Sequence, residues 1–340
     1  MKVKLNVLLM KFNSWLTAFL FVLLSAVAIG TQAQKIGLVM DSYVIDRWYL
    51  DQKLFSDKIK ELGGEVKVEV AYGDPAEQLR LSKKLIDEGV KVLVIVPVDG
   101  HKAAEIVAAA KAANVPVISY DRLILSKDVT IYISYNNEKV GELQAQYAVN
   151  KVPKGNYLLV NGPETDNNAV LFRKGQMKVL KPFVDSGKIK IVGDYIVDWG
   201  EISALMKVDE FLTTSKDKPN AVISANDALA SGTIQALPAD MKGKVVVTGQ
   251  DADLTGLKYI LAGAQSMTIY KPIKQLAYLS AETAMQLAKG EHVKGKIKLQ
   301  NGDFSVDAIL LEPVVVDKMN YKDTVVKDGH VSLSELMDKK

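Results

Sequence analysis

Carboxylates, amides and guanidinium groups recur at one kind of place in this 340-residue chain: just past the end of a short apolar run. Residues 117–122 read Val-Ile-Ser-Tyr-Asp-Arg, so that run stops on Asp121 and Arg122. The same pattern carries residues 35–40 into Asp41, and residues 92–96 into Pro97 and Asp99. Residues 157–160 lead through Gly162 to Asp166, Asn167 and Asn168. Residues 221–224 precede Asn226 and Asp227, and residues 245–248 precede Gln250 and Asp251. Pro116 favours an extended entry into residues 117–120 and argues against helix there. These runs therefore read as buried strands that deliver polar groups at their carboxyl ends, which is the ligand-binding edge of an open parallel α/β sheet. Acids and amides gathered from many strand ends suit one polar site that grips a hydroxyl-rich molecule.

Other chemistries find little support. There are no cysteines, which removes disulfides, thiolate catalysis and Cys-ligated metals. His101, His292 and His330 are far apart with no metal-ligand spacing, and each reads as an ordinary surface residue. No nucleophile elbow, metalloprotease His motif, phosphate loop or dinucleotide glycine fingerprint occurs. Acids next to arginine and lysine stay ionised, which disfavours a general acid and with it a glycosidase. The reading is therefore not an enzyme, with no cofactor and no metal.

The start of the chain is different in kind. Lys2, Lys4 and Lys11 form a basic head, residues 15–30 are small and aliphatic, and Thr31-Gln32-Ala33 ends in a small residue. This reads as a secretory signal peptide over residues 1–33, short for a full membrane span. Cleavage after Ala33 removes three lysines and no acids, taking the formal charge from +3 to zero. A near-neutral mature chain gives no basis for binding nucleic acid or anionic lipid.

The elements that must position the strand-end residues follow from periodicity. Residues 47–62 place Phe55, Ile59 and Leu62 on one helical stripe, stopped by Gly63-Gly64. Asp74-Pro75-Ala76-Glu77 has the form of a capping box with proline in the first turn, opening a helix that ends at Gly89. Residues 91–96 are almost continuously aliphatic, as in a strand covered on both faces. A helix after Gly100 uses Ile106, Val107 and Ala110 and closes at Asn114. Strand–helix alternation of this kind indicates a parallel sheet with helices on both faces. The order then restarts, with strands expected near residues 129–134, 156–160, 188–192, 221–224, 244–248 and 265–270. Helices are expected near residues 138–149, 168–184, 202–213, 227–236 and 254–262. The fold class is α/β, with two doubly wound parallel-sheet lobes, and 340 residues with 48% hydrophobic composition suffice for both. A further helix from Pro272 to Gly290, an extended stretch over 296–311 broken by Asn301-Gly302, and a polar surface tail complete the chain.

Several longer stretches carry a resemblance. They are Arg47-Trp48, Ser119-Tyr120-Asp121-Arg122, YISYNNEKVGELQ (132–144), residues 166–169, GQMKVL (175–180), DSGKI (185–189), GQDADL (249–254), YKPI (270–273) and KDTVVKDG (322–329). With these in this order, the chain resembles periplasmic sugar-binding proteins of the ribose/galactose type that serve ABC importers. The likeness runs from about residue 35 to residue 329. It implies a type I periplasmic binding fold whose lobes are joined by a three-segment hinge near residues 134–137, 269–272 and 298–303. The first lobe is then 34–136 plus 272–299, and the second 137–271 plus 300–340.

The resemblance also implies a ligand and its contacts. A pyranose presents hydroxyls around its ring plane and weakly apolar faces, so it takes charged and amide side chains plus flat aromatic walls. Trp48 and Trp199 would sandwich the ring. Arg47, Asp121, Arg122, Asn168, Asn226, Asp251 and Lys271 would contact it. Asn167 is the alternative to Asn168, Asp227 either caps a helix or touches sugar, and Asp253 reads as a cap. Lys271 hydrogen-bonds the sugar or neutralises the acids; Asp41 and Asp99 are weaker candidates. Gly200-Glu201 depart from the family's pattern after Trp199. The expected ligand is D-xylose, with ribose, arabinose or glucose as alternatives. The expected partner is a membrane permease of an ABC transporter, with a sensor kinase as the alternative. The implied state is a periplasmic monomer.

Overall fold

The computed structural model describes residues 33–45, 47–301 and 304–338. The expected signal peptide lies almost wholly outside these residues. From residue 34 onward the chain forms one compact unit containing two main sheets.

The first sheet has seven strands. In chain order its first five are β1 (Lys35–Met40), β2 (Glu65–Val70), β3 (Val92–Ile95), β4 (Val117–Tyr120) and β5 (Ile131–Tyr135). The second sheet has four parallel strands: β6 (Gly155–Asn161), β7 (Ile189–Ile196), β8 (Ala221–Ser224) and β9 (Val246–Thr248). A separate antiparallel ribbon pairs β10 (Thr268–Tyr270) with a late strand, so the stretch expected at 265–270 is shorter and stands outside the main ladder. It still extends the sheet edge, because Ser266 N–H donates to Val247 and Ile269 N–H to Gly249. The late strands are β11 (Ile297–Asn301), β12 (Phe304–Leu311) and β13 (Val314–Val316). The first sheet runs β11-β12-β5-β4-β3-β1-β2 and the second β7-β6-β8-β9.

Helices cover both faces of the first sheet. They are α1 (Arg47–Glu61), α2 (Pro75–Asp87) and α3 (Ala104–Ala112). On the second sheet lie α4 (Asn137–Lys151), α5 (Asn167–Asp185), α6 (Glu201–Thr214), α7 (Asp227–Ala236) and α8 (Leu254–Ala262). Helix α9 (Ile273–Ala288) returns to the first sheet, and short α10 (Leu333–Met337) closes the chain. The period-2 pattern of β1 sorts Ile36, Leu38 and Met40 to one core, with Phe55 and Ile59 of α1 and Leu276 of α9. Val39 faces the other core with Leu93, Ile106 and Val107. Leu62, expected on the buried stripe, lies past the end of α1 and is 36% exposed. Asp74 caps α2 as expected, accepting from Ala76 N–H at 2.8 Å, while Glu77 grips Arg80 instead of reaching back. Helices α4 and α5 touch backbone to backbone. A Cβ on Gly141 would lie 1.8 Å from the Phe172 carbonyl oxygen, and one on Gly175 would lie 2.0 Å from that of Glu138.

Three segments pass from one sheet to the other, and they run side by side. The first follows Tyr135 and the second spans Lys271-Pro272. The third does not cross at 298–303. There β11 and β12 form an antiparallel hairpin, and β12 pairs parallel with β5 in the first sheet. The sequence break at Asn301-Gly302 thus falls between two strands paired in one sheet, and residues 304–311 belong with the first sheet because Val306 and Ala308 fill its core. The crossing comes at residues 312–313, where Pro313 ends strand pairing. Tyr135 Oη donates to the Pro272 carbonyl at 2.7 Å and Asn136 N–H to that of Leu311 at 2.8 Å, tying all three crossings together.

The tail is not merely polar surface. Val316, Val325, Val331 and Leu336 build a small core with Ala252, Leu257 and Tyr270. Within it His330, expected as a surface residue, is half-buried; its ring lies 4.9 Å from that of Tyr270 and 2.8 Å from the Ala252 carbonyl oxygen. Burial is the main cause that lowers its pKa. An unfolded imidazole titrates near about 6.5 and takes a proton that the folded ring resists. Stability is therefore full above that pH and declines as pH falls toward the lowered folded value. Urea unfolding at pH 7.5 and 5.5 is expected to show lower stability at 5.5, with a smaller pH difference in His330→Phe. An unchanged difference would assign the effect to other groups.

Candidate functional site

The carboxyl edges of the two sheets meet, and each candidate side chain is aimed by the turn that follows its strand. After β4, Asp121 adopts φ +58°, a conformation uncommon for a non-glycine residue. The turn is locked from several directions. Tyr132 and Ser134 hydroxyls donate to the Asp121 carbonyl at 2.9 and 2.5 Å, and Asp121 N–H donates to the Ile133 carbonyl. Ser119 Oγ donates to the Arg122 carbonyl at 2.6 Å and accepts from Ile124 N–H. The loop after β1 brings Arg47 and Trp48 in as the opening turn of α1. From the second sheet, Asp166 caps α5 by accepting from Asn168 N–H, and Asn226 caps α7 by accepting from Leu229 N–H. Asp251 follows β9 at φ +99°, and Lys271 follows β10.

These turns converge on one cavity. All nine of the expected residues line it: Arg47, Trp48, Asp121, Arg122, Asn168, Trp199, Asn226, Asp251 and Lys271. Asp166, Phe172, Gln250 and Ile45 line it as well, and the sequence reading did not select them. Signals for three of these were present. Asp166 is a strand-end acid two residues before Asn168, Phe172 is one helical turn beyond Asn168, and Gln250 adjoins Asp251. Asn167 and Asp227 stand outside the lining, Asp253 caps α8 by accepting from Gly256 N–H, and Asp99 caps the turn at His101 and Lys102.

Pairing across the junction is dense. Arg122 bridges Asp41 of the first sheet at 2.7 Å and Asp166 of the second at 2.8 Å. Arg47 lies 3.2 Å from Asp121 and 3.5 Å from Asp251, and binds Asp51 through two nitrogens at 3.0 Å. Tyr120 Oη donates to the same Asp51 at 2.5 Å. Lys271 Nζ stands 3.7 Å from Asp121 and 3.8 Å from Asp251. Asn168 Nδ2 donates to Asp121 Oδ1 at 2.9 Å, while its Oδ1 accepts from Asn137 Nδ2 at 2.8 Å. Three cations thus face three carboxylates on the cavity wall.

Burial and charge compete at each group. Burial favours the neutral form of Arg47, but Asp121, Asp51 and Asp251 outweigh it and hold the guanidinium well above its usual pKa. Burial raises Asp121, but Arg47, Lys271 and Arg122 together bring it below the ordinary carboxylate range. Arg122 is raised, with Asp166 and Asp41 overcoming its burial. Asp166 and Asp51 are raised, because burial exceeds the help of their arginines.

The walls are aromatic. Trp48 is 2% exposed, with the Arg47 and Arg122 guanidinium carbons 4.6 and 5.5 Å from its ring centre. Trp199 is half-buried, sits edge-on to Phe172 at 6.5 Å and donates from Nε1 to Asp166 at 3.2 Å. It lies so close over Gly162 that a Cβ there would come within 2.3 Å of the indole. Four buried polar atoms on the lining residues have no hydrogen-bond partner: Trp48 Nε1, Asp121 Oδ2, Asp251 Oδ1 and Gln250 Oε1. A polar atom left wholly unmet costs about 1–3 kcal/mol, whereas Asp121 Oδ2 and Asp251 Oδ1 have their charge met by Arg47 and Lys271 but no formed hydrogen bond. A molecule that both donates and accepts would relieve them. Among the described residues no acid, histidine or cysteine cluster could hold a metal.

Comparison with known proteins agrees with this architecture. The sequence profile of the periplasmic binding protein domain matches residues 36–292. The chain belongs to the periplasmic binding protein family. It is 48% identical to the D-xylose-binding periplasmic protein of Escherichia coli (strain K12), over 95% of this chain and 99% of that one. It is 46% identical to the D-xylose-binding periplasmic protein of Haemophilus influenzae, over 87% of this chain and 90% of that one. The crystal structure of a carbohydrate transporter solute binding protein from Chloroflexus aurantiacus, in complex with D-glucose, superposes with a TM-score of 0.84. That protein is 31% identical, and the match covers 90% of this chain and 98% of that one.

Arg122 is the group on which buried Asp166 and half-buried Asp41 depend. Arg122→Met keeps apolar bulk but strands Asp41 and Asp166. A loss of about 3–5 kcal/mol in urea unfolding is expected, as for a buried pair broken on one side. A loss under about 1 kcal/mol would show that this bridge does not hold the junction.

Proposed function

We propose that this chain binds a monosaccharide, D-xylose, in the cavity between its two sheets and presents it in the periplasm to the membrane permease of an ABC importer. It acts by binding rather than catalysis, as its named relatives do. The observation that carries the reading is the cavity wall itself. Ionised tips and amides ring its edge, indoles stand beside it, and polar atoms of its lining residues keep hydrogen-bonding capacity that no protein group fills. Acids such as Asp121 and Asp251 accept from sugar hydroxyls, while Arg47, Arg122 and Lys271 donate to them. Trp48 and Trp199 cover the C–H faces.

Magnitudes fit a tight complex. A pentose has roughly ten heavy atoms, and about 0.8–1 kcal/mol per atom gives about 8–10 kcal/mol, micromolar or tighter. That efficiency needs charge-assisted hydrogen bonds and full enclosure. Enclosure needs residues from both sheets, so the sugar stabilises the arrangement in which Arg122 meets Asp166 and Asn168 meets Asp121. The bundled crossings are the natural hinge for opening and closing. An epimer that leaves one buried acid unpaired loses about 1–3 kcal/mol, giving selectivity.

Calorimetric titration of the wild type with pentoses and hexoses is expected to show D-xylose bound more tightly than D-glucose. Trp48→Ala and Asp121→Ala are each expected to weaken xylose more than tenfold while remaining folded by circular dichroism. Unchanged affinity in both would remove this cavity as the sugar site. Solution scattering is expected to show a smaller radius of gyration with xylose than without. A single shape in both conditions, with xylose demonstrably bound, would contradict closure.

A further inference from the structure

Asp227 is the second member of the polar pair after β8, it is 1% exposed, and it stands outside the cavity lining. Its carboxylate nevertheless gathers three donors from three places. Oδ2 accepts from Asp253 N–H at 3.0 Å and from the Thr268 hydroxyl at 2.9 Å, and Oδ1 accepts from Gln265 Nε2 at 2.7 Å. Thr268 Oγ1 in turn accepts from Ala252 N–H at 3.1 Å. The backbone repeats the connection: Asp227 N–H donates to the Gln250 carbonyl, Asp251 N–H to that of Ile269, and Ile269 N–H to that of Gly249.

The turn so held is residues 249–253, and it is not a relaxed one. Asp251 and Ala252 both have positive φ, +99° and +54°, without being glycine. Such a backbone persists only where its surroundings over-determine it. The packing also leaves no slack. A Cβ on Gly249 would lie 2.0 Å from Asp227 Oδ1, and one on Gly256 would lie 2.6 Å from Asp227 Cγ. Glycine at both positions lets the carboxylate sit between the turn and the start of α8. Three strand ends are thereby registered to one buried group: β8 through Asn226 beside it, β9 through Gln250 and Asp251, and β10 through Thr268, three residues before Lys271.

We infer that Asp227 is a positioning residue for sugar recognition, which never meets the ligand but clamps residues 249–253 against β10 and so aims Asp251, Gln250 and Lys271 into the cavity. This rests on the sugar-binding reading above. It adds a residue to that reading whose effect passes through others. Burial, and then the charge of Asp253, push the Asp227 carboxyl well above the ordinary range, so its placement is unfavourable in itself and is held by the three donors.

The test is a double-variant cycle by calorimetry with D-xylose, using Asp227→Ala, Asp251→Asn and both together. Urea unfolding of each variant would confirm that it is folded at the titration temperature. Asp227→Ala is expected to weaken xylose more than tenfold and to narrow the preference for xylose over its epimers. Adding it to Asp251→Asn is expected to cost clearly less than the product of the two single losses, since part of its effect passes through Asp251 and the rest through Gln250 and Lys271. Wild-type affinity in folded Asp227→Ala, or losses that multiply in the double variant, would overturn the inference. Should Asp227→Ala fail to fold, Thr268→Val removes one arm of the clamp and is expected to weaken xylose three- to tenfold. Thr268→Ser should restore affinity to within twofold, and no loss in Thr268→Val would overturn the inference. The wild-type titration in the same series reports on the sugar-binding reading separately.

Discussion

The structure depends on how charge is kept inside it. Arg47, Arg122 and Lys271, with Asp121, Asp166 and Asp251, are each under 9% exposed at the junction of the sheets. An isolated ion there would be prohibitively costly, so each must be matched by a neighbour of opposite sign and hydrogen-bonded. Arg122 makes the point most directly, since its two carboxylate partners belong to different sheets. The junction is therefore held by reciprocal neutralisation, while atoms that are ion-paired but not hydrogen-bonded, such as Asp121 Oδ2 and Asp251 Oδ1, are those a polar ligand can complete.

Topology makes such matching possible. Parallel strands bring all their carboxyl ends to one edge, so every following turn opens toward the same space. Two such edges facing one another supply both halves of a closed site, and three crossings tied through Tyr135, Pro272 and Leu311 keep them in register. The strained backbones at Asp121 and Asp251 fit the same logic. Each places a carboxylate beyond its strand where a relaxed turn would not, and each is held by hydroxyls and amides that have no part in the cavity wall. Recognition is thus carried by a thin inner layer, and its accuracy by a second layer behind it: Asp51 and Tyr120 behind Arg47, Asp41 behind Arg122, Asn137 behind Asn168 and Asp227 behind Asp251.

Much of this was legible in the residues. Strand-end acids and amides marked the edge, and helix boundaries followed from Asp74, Gly63 and Asn114, because caps and left-handed positions are local chemistry. The nine cavity residues came from the same pattern joined to a family likeness. Asp166 and Phe172 were passed over, because a cap residue and an apolar helix residue look alike whether or not they face a cavity. His330 was misjudged for a related reason: nothing near it in sequence shows that Tyr270 and the Ala252 carbonyl will cover it. The third crossing was misplaced because Asn301-Gly302 is a strong turn signal, and a turn within a sheet reads the same as a passage between sheets.

By itself the sequence determined the α/β alternation, the ligand-facing edge and the polar character of what binds there. Each of these is written in short-range periodicity and in residue types at strand ends. Only the tertiary structure decided which strands share a sheet, where the chain last crosses, which acid pairs with which cation, and which buried carboxylate is wall and which is clamp. Those outcomes turn on contacts between residues as distant in sequence as Arg47 and Asp251, or Asp41 and Arg122. The free energy of a buried charge is set by whatever the fold brings within a few ångströms, a quantity that no local pattern contains.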